Sequence, residues 1–453
     1  MVVLINSPVF TKNDRAFNDP KMPLGLAYIA SFLKSHNIDV EVLDAEAEEM
    51  SITQILLRLQ GINPDYIGIN CLSINTTSVI NLSKKIKALF PETLVIVGGV
   101  HITLSGSLIL RQCPEIDLAI MGEGEYPFYQ IVSGTNYEDI PGLIYRSGGN
   151  IIENNIVVRI NNLDELPFPA LDLFPTDIYF KNRKTINLLA SRGCPYSCIF
   201  CASPKLWKQR VIFRSAKNVI DEIISHMKRF SITDYHFLDD DFFSWPEQEM
   251  GIFFDFAKQK KITWRAIGRI DKLKKLKLFK HLAESGCYKL TFGIESGSKR
   301  IQSYLGKRLD ISIAPEIIEN CSKQDIQTKA FFMYGFPDET HEEMKQTLNF
   351  ALLLRSKGLS DAIFLPVMPY YGTALYNRIH KLDDLSYDSE VDNVHFCYDW
   401  QNSYSERFNN LRKYSYIPII GPNKTISSNE IREFIKVSYN YFYSDICINL
   451  MNR

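Results

Sequence analysis

The stretch "INLLASRGCPYSCIFCASP" (186–204) runs from a strand-like apolar segment into a loop carrying cysteines at 194, 198 and 201. Three thiols within eight residues are one short of a closed tetrahedral site. Thiolate ligands suit zinc or an iron–sulfur cluster. A structural zinc site calls for a fourth Cys or His close by, and none lies within the next twenty residues. The nearest, His226 and His236, fall in a helical and a strand-like segment. A cubane held by three cysteines instead leaves one iron open to a substrate. Gly193 and Pro195 suit a loop wrapped tightly around such a cluster. Three buried structural cysteines, or a zinc knuckle, is the alternative.

Working outward toward the C-terminus, strand-like and helix-length segments alternate. The strand-like pieces are "INLLASRGC", "YHFLDDDFF", "ITWRAIGRI", "YKLTFGIESGS", "TKAFFMYGFPD" and "DAIFLPVMP". Six such units point to a partial or full βα barrel, with chemistry at the C-terminal ends of its strands. The cysteines, "DDD", "GRID", "GIES" and "YGFPD" all fall at those ends. The Lys-rich piece "KLKKLKLFK" (272–280) reads as one helix with a wet face.

Toward the N-terminus, "VVLINSP", "VEVLDAE", "YIGINCL", "LVIVGGV" and "IDLAIMGEGE" alternate with helical segments. Strands separated by helices give parallel crossovers, hence a doubly wound sheet. Its ligands belong beyond the carboxyl ends of the strands, where "NSP", "VGGVHIT" and "MGEGE" offer small residues. Residues 142–158 read as a hairpin turning at Gly148–Gly149. The three-proline stretch 163–175 reads as a linker. The expected organisation is a sheet domain over 1–140, hairpin and linker over 141–180, barrel over 181–375, and a mixed C-terminal region over 376–453 that caps it.

The 453 residues exceed one ordinary core. A formal net charge of −1 gives no footprint for nucleic acid. No apolar run is long enough for a bilayer, and the N-terminus enters a strand without a leader, so a cytoplasmic location is expected. Nine cysteines in no paired spacing do not form a secreted disulfide framework.

The C-x3-C-x2-C loop after the first barrel strand resembles the radical S-adenosylmethionine (radical SAM) superfamily. "MPLGLAYIASFLKS", "VGGVHIT", "MGEGE", "LPFPALDL", "FLDDDFF", "GRID", "GIESGS", "GFPDET" and "MPYYGTALY" are similar to its subfamily with an N-terminal cobalamin-binding domain. The resemblance implies a Rossmann-like cobalamin-binding domain followed by a partial (β/α)6 radical SAM barrel. It also implies that Cys194, Cys198 and Cys201 hold a [4Fe–4S] cluster whose open iron binds S-adenosylmethionine (SAM). An electron from the cluster then cleaves the sulfonium, and an adenosyl radical takes hydrogen from an unactivated carbon. The electron would come from an external donor such as flavodoxin or ferredoxin.

In that family the acidic segment contacts the methionyl end of SAM, which makes Asp239 and Asp240 candidates; an exposed acidic loop is the alternative. Glu295 is a candidate for the ribose hydroxyls or the ammonium, with Gly293 and Gly297 allowing close approach. Arg269 is a candidate for the SAM carboxylate, or else pairs with Asp271 at a helix start. "MYGFPDET" (333–340) either lines the adenine pocket or is a simple turn. Gly98, Gly99 and Gly122 would line a slot for the dimethylbenzimidazole tail of cobalamin. The loop 9–25 has neither His nor Cys, so the cobalt would lack a His from there, and His101 reads as a hydrogen-bonding or structural residue. Cys71 and Cys113 are too few for the second cluster of a methylthiotransferase, and the remaining cysteines read as buried free thiols.

The function expected is C-methylation of a small-molecule or peptide-derived substrate. Oxidative cyclisation or ring rearrangement with the same cofactors is the rival, and a zinc-stapled binding protein is a third reading. Trp400, Tyr439 and Tyr441 either line the substrate pocket or fill a core.

Overall fold

In a computed structural model, residues 1–8, 22–154, 158–181, 184–276, 278–380, 420–421, 424–426 and 428–444 are described. The remainder of the 9–25 loop before Met22, together with Trp400, Cys397 and Cys447, lies outside them. The chain divides into two compact units, with the break between Lys184 and Thr185.

In the first unit, β1 (Val2–Ile5), β2 (Val40–Leu43), β3 (Tyr66–Asn70), β4 (Leu94–Gly98), β5 (Leu118–Ile120), β6 (Leu143–Ser147) and β7 (Asn150–Glu153) form one sheet. Its order is β2-β1-β3-β4-β5-β6-β7. The first five strands are parallel, as the helix-length crossovers require. All four residues of β1 are buried, as are the middle residues of β3 and β4, because helices cover both faces. Gly68 in β3 is a packing glycine: a Cβ there would meet Leu4 and Phe128 at 2.7 Å.

The hairpin turns at Gly148 and Gly149, both at positive φ, and extends the sheet with β6 antiparallel to β5 and β7 antiparallel to β6. The proline-rich stretch is not a free connector. Its backbone bonds the first helix through Ala170 N–H to Ala27 O at 3.1 Å, and Leu166, Leu171 and Phe174 are buried.

The second unit holds β8 (Thr185–Leu188), a two-residue pair β9 (Ser191–Arg192) and β10 (Ile212–Phe213), then β11 (Asp234–Phe237), β12 (Thr263–Gly268), β13 (Cys287–Glu295), β14 (Gln327–Tyr334) and β15 (Asp361–Pro366). Six strands form an all-parallel sheet in the order β15-β14-β13-β12-β11-β8. This is the partial (β/α)6 barrel expected. Burial alternates along β12 and β14, so one face of each strand is packed and the other half-covered. Phe237, Phe242, Phe253 and Trp264 fill the packed side with ring centroids 4.8–5.8 Å apart.

The edge strand β15 is covered by the helix Ser428–Tyr443. Tyr439 Oη accepts from Phe364 N–H, and Tyr443 Oη accepts from Ala362 N–H, each at 3.1 Å. Four residues of helix rise about 6 Å and two of strand about 6.6 Å, so one tyrosine pair matches alternate edge residues. The unpaired edge is thereby satisfied. Tyr439 is thus packed against the sheet, whereas Tyr441 is exposed.

The segment "KLKKLKLFK" is not one helix. It ends one, Ile270–Leu276, and begins another, Phe279–Glu284, with Leu278 as the N-cap.

Candidate functional site

The cysteine loop leaves the barrel after β9 and returns through β10, whose antiparallel pairing closes its neck at Arg192 and Ile212. Gly193 is required there. Its φ is +118°, and a Cβ would lie 2.2 Å from the carbonyl oxygen of Arg210. Arg214 braces the base of the neck. It donates to Leu189 O at 2.9 Å and pairs with buried Glu222 at 2.5 Å. The far side of the loop is tied by Ile199 N–H to Leu305 O at 3.0 Å and by Leu375 N–H to Ile199 O at 2.8 Å.

All three cysteines are half-buried. Burial pushes the Cys194 thiol up to about 12 and raises Cys198 and Cys201 as well. Lys307 and Arg269 pull Cys198 down, and the Ser203 N–H pulls Cys201 down. Among the described residues no three His, Cys, Asp or Glu side chains converge as ligands of one ion do. Three half-buried free thiols on one short loop are the soft donor set that an iron–sulfur cluster takes from protein.

The three aspartates after β11 take separate tasks. Asp239 is buried and accepts from Ala190 N–H at 3.1 Å and Ser191 Oγ at 2.6 Å, and burial pushes it up to about 6. Asp240 is exposed and accepts from Gly193 N–H at 3.3 Å and from Ser203 Oγ. Asp241 is buried and accepts from Arg269 N–H at 2.9 Å and Ser244 Oγ at 2.7 Å.

Arg269 carries its guanidinium 3.7 Å above the ring of Tyr196, inside the cysteine loop. Its Nε and Nη2 bond Asp271 at 3.0 and 2.9 Å, and its Nη1 donates to Lys307 O at 2.8 Å. The helix-start pairing with Asp271 is therefore present, and the group also braces the loop.

Glu295 ends β13 at a register shift, with a left-handed φ of +70° rare for a side-chain-bearing residue. Its Oε1 accepts from Lys307 Nζ at 2.6 Å, and Nζ also donates to Gly293 O at 2.5 Å. A Cβ at Gly293 would meet Glu295 Oε1 at 2.2 Å, and one at Gly297 would meet Gln346 O at 2.5 Å. These two glycines accommodate protein groups.

After β14, "GFPDE" is a turn held by Glu339, whose Oε2 accepts from Gly335 N–H at 2.5 Å and Phe336 N–H at 3.1 Å. Burial pushes Glu339 up to about 8.

In the first unit, Gly98, Gly99 and Gly122 sit half-exposed where β4 and β5 end. Gly99 has φ +112°, and a Cβ would lie 2.7 Å from Cys71 O. Gly98 has no such need, since its Cβ would make only ordinary contacts, nearest Ile120 O at 3.8 Å. Gly122 N–H donates to Thr103 Oγ1 at 2.9 Å. His101 is buried, with Nδ1 on Ser73 Oγ at 3.1 Å. Cys71, Cys113, Cys287 and Cys321 are buried free thiols.

Sequence reasoning missed Lys307, Ser203, Tyr196 and Glu339. Tyr196 and Ser203 lie in the cysteine stretch and Glu339 in "GFPDET", but Lys307 stands twelve residues beyond Glu295 with no pattern joining them.

Residues 19–132 match the B12 binding domain, and residues 188–351 match the radical SAM superfamily. The chain belongs to the cobalamin-binding radical SAM proteins. It is 29% identical to an uncharacterized methyltransferase of Pyrococcus horikoshii, over 98% of this chain and 92% of that protein. It is 24% identical to cytidylyl-2-hydroxyethylphosphonate methyltransferase of Streptomyces wedmorensis, covering 87% and 88%. Anaerobic magnesium-protoporphyrin IX monomethyl ester cyclase of Cereibacter sphaeroides is 23% identical, over 73% of this chain and 56% of that one. The fold is shared with the radical SAM methyltransferase TsrM from Kitasatospora setae, at TM-score 0.69, 16% identity and coverage of 84% and 74%. No helix among the described residues is long and apolar enough to cross a membrane.

Proposed function

We propose that this cobalamin-binding radical SAM protein methylates an unactivated carbon of a small-molecule or peptide-derived substrate. The observation that carries the reading is the braced three-cysteine loop beside a buried Lys307–Glu295 pair, on a chain that also matches a B12 binding domain. When bound, the [4Fe–4S] cluster, SAM and cobalamin supply reductive cleavage of SAM and a transferable methyl group.

Cys194, Cys198 and Cys201 would hold the cluster. Lys307 uses two of its three N–H donors on Glu295 and Gly293, leaving the third for the SAM carboxylate. Glu295 has Oε1 on Lys307, so Oε2 is left to accept from the ammonium or the ribose hydroxyls. Arg269, with its guanidinium already engaged, would act by holding Tyr196 and the loop. Gly98, Gly99 and Gly122 would admit the cobalamin tail along the open ends of β4 and β5. An electron donor of the flavodoxin or ferredoxin kind completes the system, in a reducing cytoplasm that keeps the thiols free.

The experiment is anaerobic turnover with SAM carrying a deuterated methyl group, against candidate substrates. Release of 5′-deoxyadenosine together with a labelled product heavier by one methyl substitution supports methylation. The resemblance to the Cereibacter sphaeroides cyclase favours oxidative cyclisation as the second reading. A product lighter by two hydrogens, with no label, would establish that reading instead.

A further inference from the structure

The acidic triplet Asp239–Asp241 presents its carboxylates to donors on either side of the cysteine loop. Asp239 fixes Ala190 and Ser191 ahead of the loop. Asp241 fixes the backbone of Arg269, whose guanidinium lies on Tyr196 in the middle of the loop. Asp240 joins the two ends, accepting from Gly193 N–H at 3.3 Å before the first cysteine and from Ser203 Oγ just after the last. Ser203 in turn directs its own N–H at Cys201 Sγ, 3.4 Å away. One carboxylate is thus two hydrogen bonds from a ligand sulfur.

We propose that Asp240 is a positioning residue that clasps the cysteine loop and, through Ser203, aims a backbone N–H at the Cys201 thiolate. The clasp sets how firmly the cluster is held and at what potential it is reduced. Each oxygen of Asp240 already accepts a hydrogen bond from the loop, so the contribution the geometry shows is orientation of the cluster ligands. Hydrogen bonds to ligand sulfurs tune cluster potentials, and removing outer partners of metal ligands costs roughly 10–100-fold in affinity. The inference rests on the cluster-binding reading proposed above.

The test compares the anaerobically reconstituted wild type with D240A, D240N and S203A. The readouts are the rate of iron loss to a chelator, the midpoint potential by EPR-monitored titration, and SAM affinity by equilibrium dialysis. S203A keeps the N–H but removes the hydroxyl that anchors it. D240A and S203A are expected to lose iron roughly 10–100-fold faster. S203A, which keeps the Asp240 charge, is expected to be harder to reduce, because the N–H···S bond is no longer held. Asn can accept from Gly193 and donate to Ser203, so D240N is expected to restore iron retention.

Wild-type retention and potential in both D240A and S203A would overturn the clasp. So would a loss of SAM affinity in D240N and D240A with the cluster intact and S203A unaffected, which would make Asp240 a SAM contact. A wild type that takes up no cluster overturns the cofactor reading itself, and shows it before any variant is compared.

Discussion

Replacing Lys307 by Met tests how the site balances its buried charges. The Lys307 and Glu295 side chains are 7% and 8% exposed, with Nζ 2.6 Å from Oε1. Removing the ammonium strands a carboxylate in a poorly solvated place, which costs about 3–5 kcal/mol. Met matches the length of the Lys stem, so little of that cost comes from lost packing. The double variant K307M/E295Q removes both charges, and its cost is expected to fall to about 1–2 kcal/mol, about 2–3 kcal/mol below that of K307M alone. Urea unfolding of the cofactor-free chains gives the numbers, with buried Trp245 and Trp264 reporting on this unit. The same variants measured after reconstitution should each bind SAM at least ~10-fold more weakly, since a charge-assisted hydrogen bond is worth about 1.5–3 kcal/mol. Equal destabilisation by the single and double variants would refute the reasoning, as would unchanged SAM affinity in K307M.

Other expectations follow from the same geometry. G193A places a Cβ against Arg210 O at a φ of +118°, so the neck must open, and a loss of about 2–4 kcal/mol together with poor iron uptake is expected. Normal iron content in G193A would show that the neck is not needed. Glu339 is held near 8 in the folded chain against an ordinary 4.5, so its proton favours folding below pH 4.5 and that contribution is lost as pH rises toward 8. The stability of E339Q relative to wild type should therefore rise by up to about 1.4 kcal/mol per unit across that window and level off above it; parallel urea-midpoint profiles would contradict this. Y439F/Y443F removes the two hydroxyls on the β15 edge and should cost about 1–3 kcal/mol in the same assay, against an expectation of no change if the helix merely rests there.

The architecture was legible because its signals are local. Period-two apolar runs separated by helix-length segments mark all six barrel strands and the five parallel strands of the first sheet. Three thiols in one short loop need no tertiary knowledge to be noticed. The hairpin was readable from Gly148–Gly149, but not that it would extend the sheet, since edge pairing depends on what β5 leaves open. The break in "KLKKLKLFK" was hidden because Lys and Leu suit a helix at every position there.

The site was legible only as a set of strand ends. Consecutive aspartates look like mutual repulsion waiting for a cation, yet each found a different N–H or O–H donor from a segment distant in sequence. Lys307 escaped notice for the same reason. Its partner lies across a helix and a turn, and only folding brings the two charges together. Glycine meanings were also ambiguous: Gly293 and Gly297 admit protein atoms, while a Cβ at Gly98 would make only ordinary contacts.

The central claim is that the 194–201 loop carries a cluster able to cleave SAM. Iron and sulfide analysis of the anaerobically purified chain, coupled to detection of 5′-deoxyadenosine after reduction with SAM present, tests it directly. The account predicts about four irons and four sulfides per chain, 5′-deoxyadenosine release, and loss of both in C198A. A single zinc per chain with no nucleoside released, in wild type and C198A alike, would contradict it.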